Sequence, residues 1–147
     1  MRKDSLHFAR RMIFLLVVIL LSIPAPAGAG GTPETDRING VTWIWQHTRY
    51  NNDTEAIPPD PSRYTIAFNT DGTLNMRVDC NRGGGTYSTN ENSIAIEVTH
   101  TTRAMCPPDS LDQTFIKNVN AARVYFFREG NLYLDLKYDT GTMKFNR

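Results

Sequence analysis

From Val41 onward, apolar side chains recur at every second position in short runs separated by turn-forming residues. Val41, Trp43 and Trp45 share one alternating face, as do Tyr64, Ile66 and Phe68, then Leu74, Met76 and Val78, then Ile94, Ile96 and Val98. A period of two places such residues on one side of a pleated strand, the pattern of a half-buried antiparallel sheet. Asp71-Gly72 tolerates positive φ and predicts a tight hairpin over 64–78. Pro58, Pro59 and Pro61 remove backbone donors and mark a loop after the first strand. Gly83, Gly84 and Gly85 lead into a short strand at 86–88, with a bend or bulge expected at the glycines. Residues 99–108 read as a loop or extended segment, and closing strands are expected at 124–127, 132–136 and 143–145, with turns at 129–131 and 139–141.

The period changes once. Leu111, Phe115 and Val119 fall at i, i+4 and i+8, with Ile116 beside them, and form the single stripe of an amphipathic helix. Ser110 is a good N-cap, Gln113 completes a capping box, and Pro107 and Pro108 preclude an earlier start; the helix is expected to end near Asn120. Seven or eight short strands and one helix predict a mainly β (α+β) fold, an antiparallel, barrel-like twisted sheet with the helix packed against it.

The amino-terminal segment departs from this pattern. A basic stretch holding Arg2, Lys3, Arg10 and Arg11 precedes an apolar run from Met12 to Leu21, and the small-residue tail IPAPAGAGG follows. That order predicts a secretory signal peptide over 1–29, cleaved after Ala29, with Ala27 as the second choice. The apolar run is half the roughly 20 residues that span a bilayer, so no membrane span is expected after cleavage. Residues 30–40 are polar and aperiodic and read as a flexible leader, leaving 41–147 as the folded domain.

Charge follows from the same division. The whole chain is +1, but the first 29 residues hold four basic residues and one acid, so the mature protein is −2. Its basic residues are dispersed, which gives no footprint for nucleic acid or for an anionic membrane surface. A periplasmic or secreted monomer is the expectation.

Two cysteines, Cys80 and Cys106, lie downstream of the export signal. An even count in a small exported domain predicts a disulfide, since oxidising compartments form and keep such bonds. The competing reading, Cys80 as a nucleophile with His100 as base, has no third group to orient it and leaves Cys106 idle. The three glycines lack the Lys-Ser/Thr ending and following helix of a phosphate loop. His47 and His100 stand apart from any ligand-spaced cluster, and Asp71-Gly72 lacks the other oxygens of a calcium loop, so no metal or cofactor is expected. Asn52-Asp53-Thr54 is formally a glycosylation acceptor. Arg103, beside Thr101 and Thr102, offers a fork of donors either to a partner's carboxylate or to local carbonyls. Trp43, Trp45, Tyr64, Phe68 and Phe115 either line a ligand cavity or pack a core.

Trp43-x-Trp45, RYTIAFNTDGTLNMRVDCNRGGGTY, TTRAMCPPDSLDQTF and LYLDLKYDTGTMKF, in that order over residues 41–146, resemble the META-domain family, also called HslJ-like. The resemblance implies a small envelope domain with a barrel-like antiparallel sheet and one helix. It implies no enzymatic activity, and an association with stress response, drug tolerance or virulence. The chain departs from many members in having no lipoprotein cysteine, which argues against a lipid tether. The expected function is therefore that of an exported, noncatalytic binding or interaction module of the envelope, with Arg103, Thr101 and Thr102 as candidate contacts to a ligand or partner. The alternative is a carrier or sensor of a small apolar ligand, such as a lipid or drug, in the barrel interior; an enzyme inhibitor or an enzyme is the remaining reading.

Overall fold

The computed structural model describes residues 38–147, so the proposed signal peptide and the leader as far as Arg37 lie outside the described residues. Among the described residues, nine strands, β1 (Thr42–Tyr50), β2 (Glu55–Ala56), β3 (Tyr64–Phe68), β4 (Thr73–Val78), β5 (Asn81–Asn90), β6 (Ser93–Thr101), β7 (Ala122–Arg128), β8 (Asn131–Leu136) and β9 (Gly141–Asn146), accompany the helix α1 (Asp112–Ala121). The strands run β1-β3-β4-β5-β6-β7-β8-β9, and β9 pairs back onto β1, closing an eight-stranded antiparallel barrel with the two-residue β2 as an extra edge on β1. Closure removes the free edges that an open sheet would expose.

The alternation sets which residues face inward. Trp43, Trp45, Tyr64, Ile66, Phe68, Val78, Leu132, Leu134, Met143 and Phe145 are all at most 1% exposed. Phe115 of α1 inserts among them, its ring 5.2 Å from that of Trp45 and 5.7 Å from that of Tyr64. The interior is thus filled by side chains, as small barrels require, and the predicted lining aromatics are core.

The seam between β6 and β7 is the weak point of the wall. Its ladder reduces to the pair Ser93 and Val124, with Tyr125 N–H donating to Asn92 O at 2.8 Å. Helix α1 covers this gap: Asn120 Oδ1 accepts from the Val98 backbone N–H at 2.8 Å, satisfying a strand donor that has no ladder partner.

The structure corrects several local expectations. The chain joins the domain before Val41: Ile38 is fully buried, its carbonyl accepts from Trp43 Nε1 at 2.9 Å, and Asn39 bridges to Phe68. β5 runs through all three glycines with a register shift between Gly84 and Gly85. A Cβ on Gly85 would collide with the Glu97 carbonyl of β6, so only glycine permits that approach. β6 likewise continues to Thr101 instead of stopping near Val98. The capping box does not form. Leu111 is the N-cap, since its carbonyl accepts the first helical bond from Phe115 N–H, while Gln113 Nε2 turns to Asp112 Oδ2. Tyr64 OH accepts the Leu111 N–H at 2.8 Å, and residues 107–110 form a separate turn closed by Ser110 N–H to Pro107 O at 3.0 Å. The last turn is also shifted by one residue: Tyr138 and Asp139 are left-handed, at φ 59° and 51°. Gly141 begins β9, where a Cβ would lie 2.6 Å from Arg49 O.

Candidate functional site

Helix α1 has a depression along each flank. Gln113 and Ile116 border one, while Thr114, Lys117, Asn118 and Ala121 border the other. Successive helical positions rotate by about 100°, so these two sets lie on opposite sides of the buried Phe115–Val119 stripe.

The first is a groove of about 430 Å³ between Thr101–Ala104 and α1. Cys80 and Cys106 are bonded, with Cα atoms 5.5 Å apart, so the segment after β6 is tied to the β4–β5 turn. Both sulfurs are consumed in that bridge, which leaves no thiolate for a nucleophile. Asn81 adds a second clamp: its Oδ1 accepts from Thr102 Oγ1 and from Ala104 N–H, each at 2.8 Å, and its Nδ2 donates to Ala104 O at 3.2 Å. Thr102 N–H donates to Arg82 O at 2.8 Å, and Thr102 Oγ1 accepts from Arg82 N–H at 3.0 Å. The turn at the base is held by an ion pair between Arg63 and the buried Asp79, which sits at φ 60°.

Of the three predicted contacts, Thr102 spends its hydroxyl on this scaffold and Thr101 is half-buried in the groove wall. Arg103 is exposed, and its guanidinium has no hydrogen bond or ion pair among the described residues. Met105, two residues on, is 99% exposed.

The second depression is a cleft of about 750 Å³ at the end of the barrel where β1 and β8 finish. Its floor is polar. Asn118, 3% exposed, donates from Nδ2 to Thr48 Oγ1 at 3.2 Å and to Tyr50 OH at 2.8 Å, and Thr48 Oγ1 also accepts from Trp45 Nε1 at 3.1 Å. The β1–β2 turn and the β8–β9 loop form the rim, joined by Asn51 N–H to Thr140 O at 3.2 Å and by Asn51 Nδ2 to Asp139 O. Tyr138 stands on that rim 87% exposed, with Lys137 Nζ 5.6 Å from its ring centre.

Sequence reasoning missed this cleft. Asn118 lies three residues after Phe115 on the buried face of the helix, and a polar residue at an apolar position was the available signal. Tyr138 continues the Leu132, Leu134, Leu136 alternation, so periodicity places it inside; the left-handed turn expels it.

The shifted pKa values lie elsewhere. Burial lowers the pKa of His47 on β1, and burial raises that of Tyr87, whose hydroxyl donates to Asn39. Asp60 and Asp71 are held below the usual carboxylate range chiefly by the hydroxyls of Ser62 and Thr73. None of the four lines either depression. Among the described residues no three His, Cys, Asp or Glu side chains gather as a metal-binding group, and no helix is long and apolar enough to cross a membrane.

The META domain model matches residues 37–147, beginning beside the buried Ile38 and spanning the whole barrel. The chain belongs to the META-domain family. This META domain is similar in fold to a DUF4847 family protein from Bacteroides vulgatus, at 17% identity and a TM-score of 0.57, over 74% of this chain and 93% of that one. It is also similar to a protein from Burkholderia xenovorans, at 16% identity and a TM-score of 0.64, over 85% of this chain and 96% of that one. At these identities the likeness concerns the fold. No curated protein matches the chain.

Proposed function

We propose that this META-domain protein is an exported, noncatalytic binding module of the cell envelope that engages a protein partner through the groove beside its disulfide. The observation that carries the reading is Arg103: an exposed guanidinium without an internal partner, on a backbone fixed by a covalent bridge and by Asn81. A preorganised segment loses little entropy on docking. Arginine and methionine are both enriched at interface cores, so Arg103 and Met105 suit a partner surface that offers a carboxylate next to an apolar patch. Thr101 lines the same groove and Thr102 positions it.

Export is supported by the amino-terminal sequence pattern and by the disulfide, which persists in oxidising compartments. The apolar-ligand alternative receives no support from the packed interior.

A photoreactive residue placed at Met105 in the native host tests this reading, with one at Glu129, on the β7–β8 turn, as control. A discrete adduct from position 105 that disappears with Arg103→Glu is expected. No adduct at 105, or the same adduct from both positions, contradicts the reading.

A further inference from the structure

The cleft on the other flank of α1 has chemistry of its own. Asn118 is almost wholly buried, and both of its hydrogen bonds leave from Nδ2; Oδ1 accepts none among the described residues, although the residue lines the cleft. Tyr50 OH receives one of those bonds, and its own proton has no acceptor among the described residues. The floor therefore presents an acceptor and a donor side by side, both without protein partners. Around them stand the hydroxyl of Thr114, the hydroxyls of Thr54 and Thr140, which already donate to Asn52 Oδ1 and Lys137 O and keep only acceptor capacity for a ligand, and the exposed ring of Tyr138.

Each simpler ligand class conflicts with part of this lining. An apolar molecule would strand the Asn118 carbonyl and the Tyr50 hydroxyl without water, a cost that buried polar groups normally avoid. A small anion would gain Lys117 and Lys137 but set its oxygens against Asn118 Oδ1 and the Asp139 carboxylate, and a fully ionised one has no proton to donate to that carbonyl. A sugar ring satisfies all of it. Its hydroxyls donate and accept at neighbouring positions, and its C–H face packs flat on an aromatic ring. The cleft volume of about 750 Å³ falls within the range of small-ligand sites and exceeds one sugar unit.

The turn that presents Tyr138 adds to this. Paired left-handed residues are the natural place for Asn-Gly, and a bulky side chain at positive φ is disfavoured. Here Tyr-Asp occupies both positions, and strained backbone of this kind concentrates at ligand sites. We propose that the cleft lined by Tyr50, Asn118 and Tyr138 binds a saccharide of two or three units. This proposal does not depend on the protein-partner reading of the Arg103 groove.

The test is a titration of isotope-labelled, oxidised protein with triacetylchitotriose, maltotriose and trigalacturonic acid, covering N-acetylated, neutral and acidic sugars. At least one is expected to bind, shifting the Asn118 side-chain amide and the residues 137–140. Tyr138→Gly removes the stacking face while suiting the left-handed backbone, so it is expected to weaken that binding by about tenfold without lowering the melting temperature. Asn118→Ala is expected to weaken it as well. Absence of binding by all three at millimolar concentration overturns the proposal. So does binding that Tyr138→Gly leaves unchanged, or shifts that map to Arg103 instead.

Discussion

The two flanks of α1 are built by different means. On one, a covalent bridge and the Asn81 clamp hold an irregular segment whose own backbone makes few ladder bonds. On the other, Asn118, Thr48, Tyr50 and Trp45 form a hydrogen-bonded network that ties the helix to β1. The difference teaches that one helix can support two surfaces whose rigidity has separate origins. The groove is held in part by a bond that reduction would break, whereas the cleft is held by the closure of β1 onto β9 and by one buried amide.

The element they share defines the largest effect. Phe115→Ala removes the ring that packs on Trp45 and Tyr64, and is expected to cost about 4 kcal/mol in urea unfolding and to loosen both flanks together. Replacing Cys80 and Cys106 with serine separates them. The bridge closes a loop of 26 residues, and its loss is expected to cost about 3 kcal/mol, to free residues 101–106 and to leave the cleft intact. Asn118→Ala is the reciprocal change: a cost of about 2 kcal/mol, with the Tyr50 and Thr48 hydroxyls losing their shared donor and the disulfide groove unaffected. If either pair of effects crosses to the other flank, the separation fails.

Two smaller effects refine the picture. Tyr138→Gly is expected to raise stability by about 1 kcal/mol in thermal unfolding, because glycine accepts the left-handed backbone without the side-chain penalty. His47, away from both depressions, supplies a common background. Burial lowers its pKa in the folded protein, so the unfolded chain takes up a proton first as pH falls. The melting temperature should therefore decline from about pH 8 toward about pH 5, with His47→Gln reducing that slope. Both flanks should follow it equally.

Much of the barrel was legible from alternation and turn chemistry. The hairpin of β3 and β4 forms as expected, because Asp71-Gly72 admits the turn and Asp71 Oδ1 accepts from Thr73 N–H at 2.9 Å. The disulfide followed from cysteine count and export pattern. What could not be read depended on contacts between distant segments. The strand path through Gly83–Gly85 requires the Glu97 carbonyl to approach, and the delayed start of α1 requires the hydroxyl of Tyr64. Ile38 packs its side chain into the core while its carbonyl accepts from Trp43 Nε1, five residues on. The groove was partly visible because Cys106 and Arg103 are neighbours in sequence. The cleft was not, since Tyr50, Asn118 and Tyr138 come from three elements that meet only when the barrel closes.

Amide hydrogen exchange on oxidised and reduced protein compares the two flanks within one molecule. On reduction, the amides of Arg82, Thr102 and Ala104 should lose protection, while those of Tyr50, Asn51 and the α1 residues beside Asn118 keep theirs. Loss of protection at both flanks together, or at neither, would contradict the independent origin of the groove and the cleft.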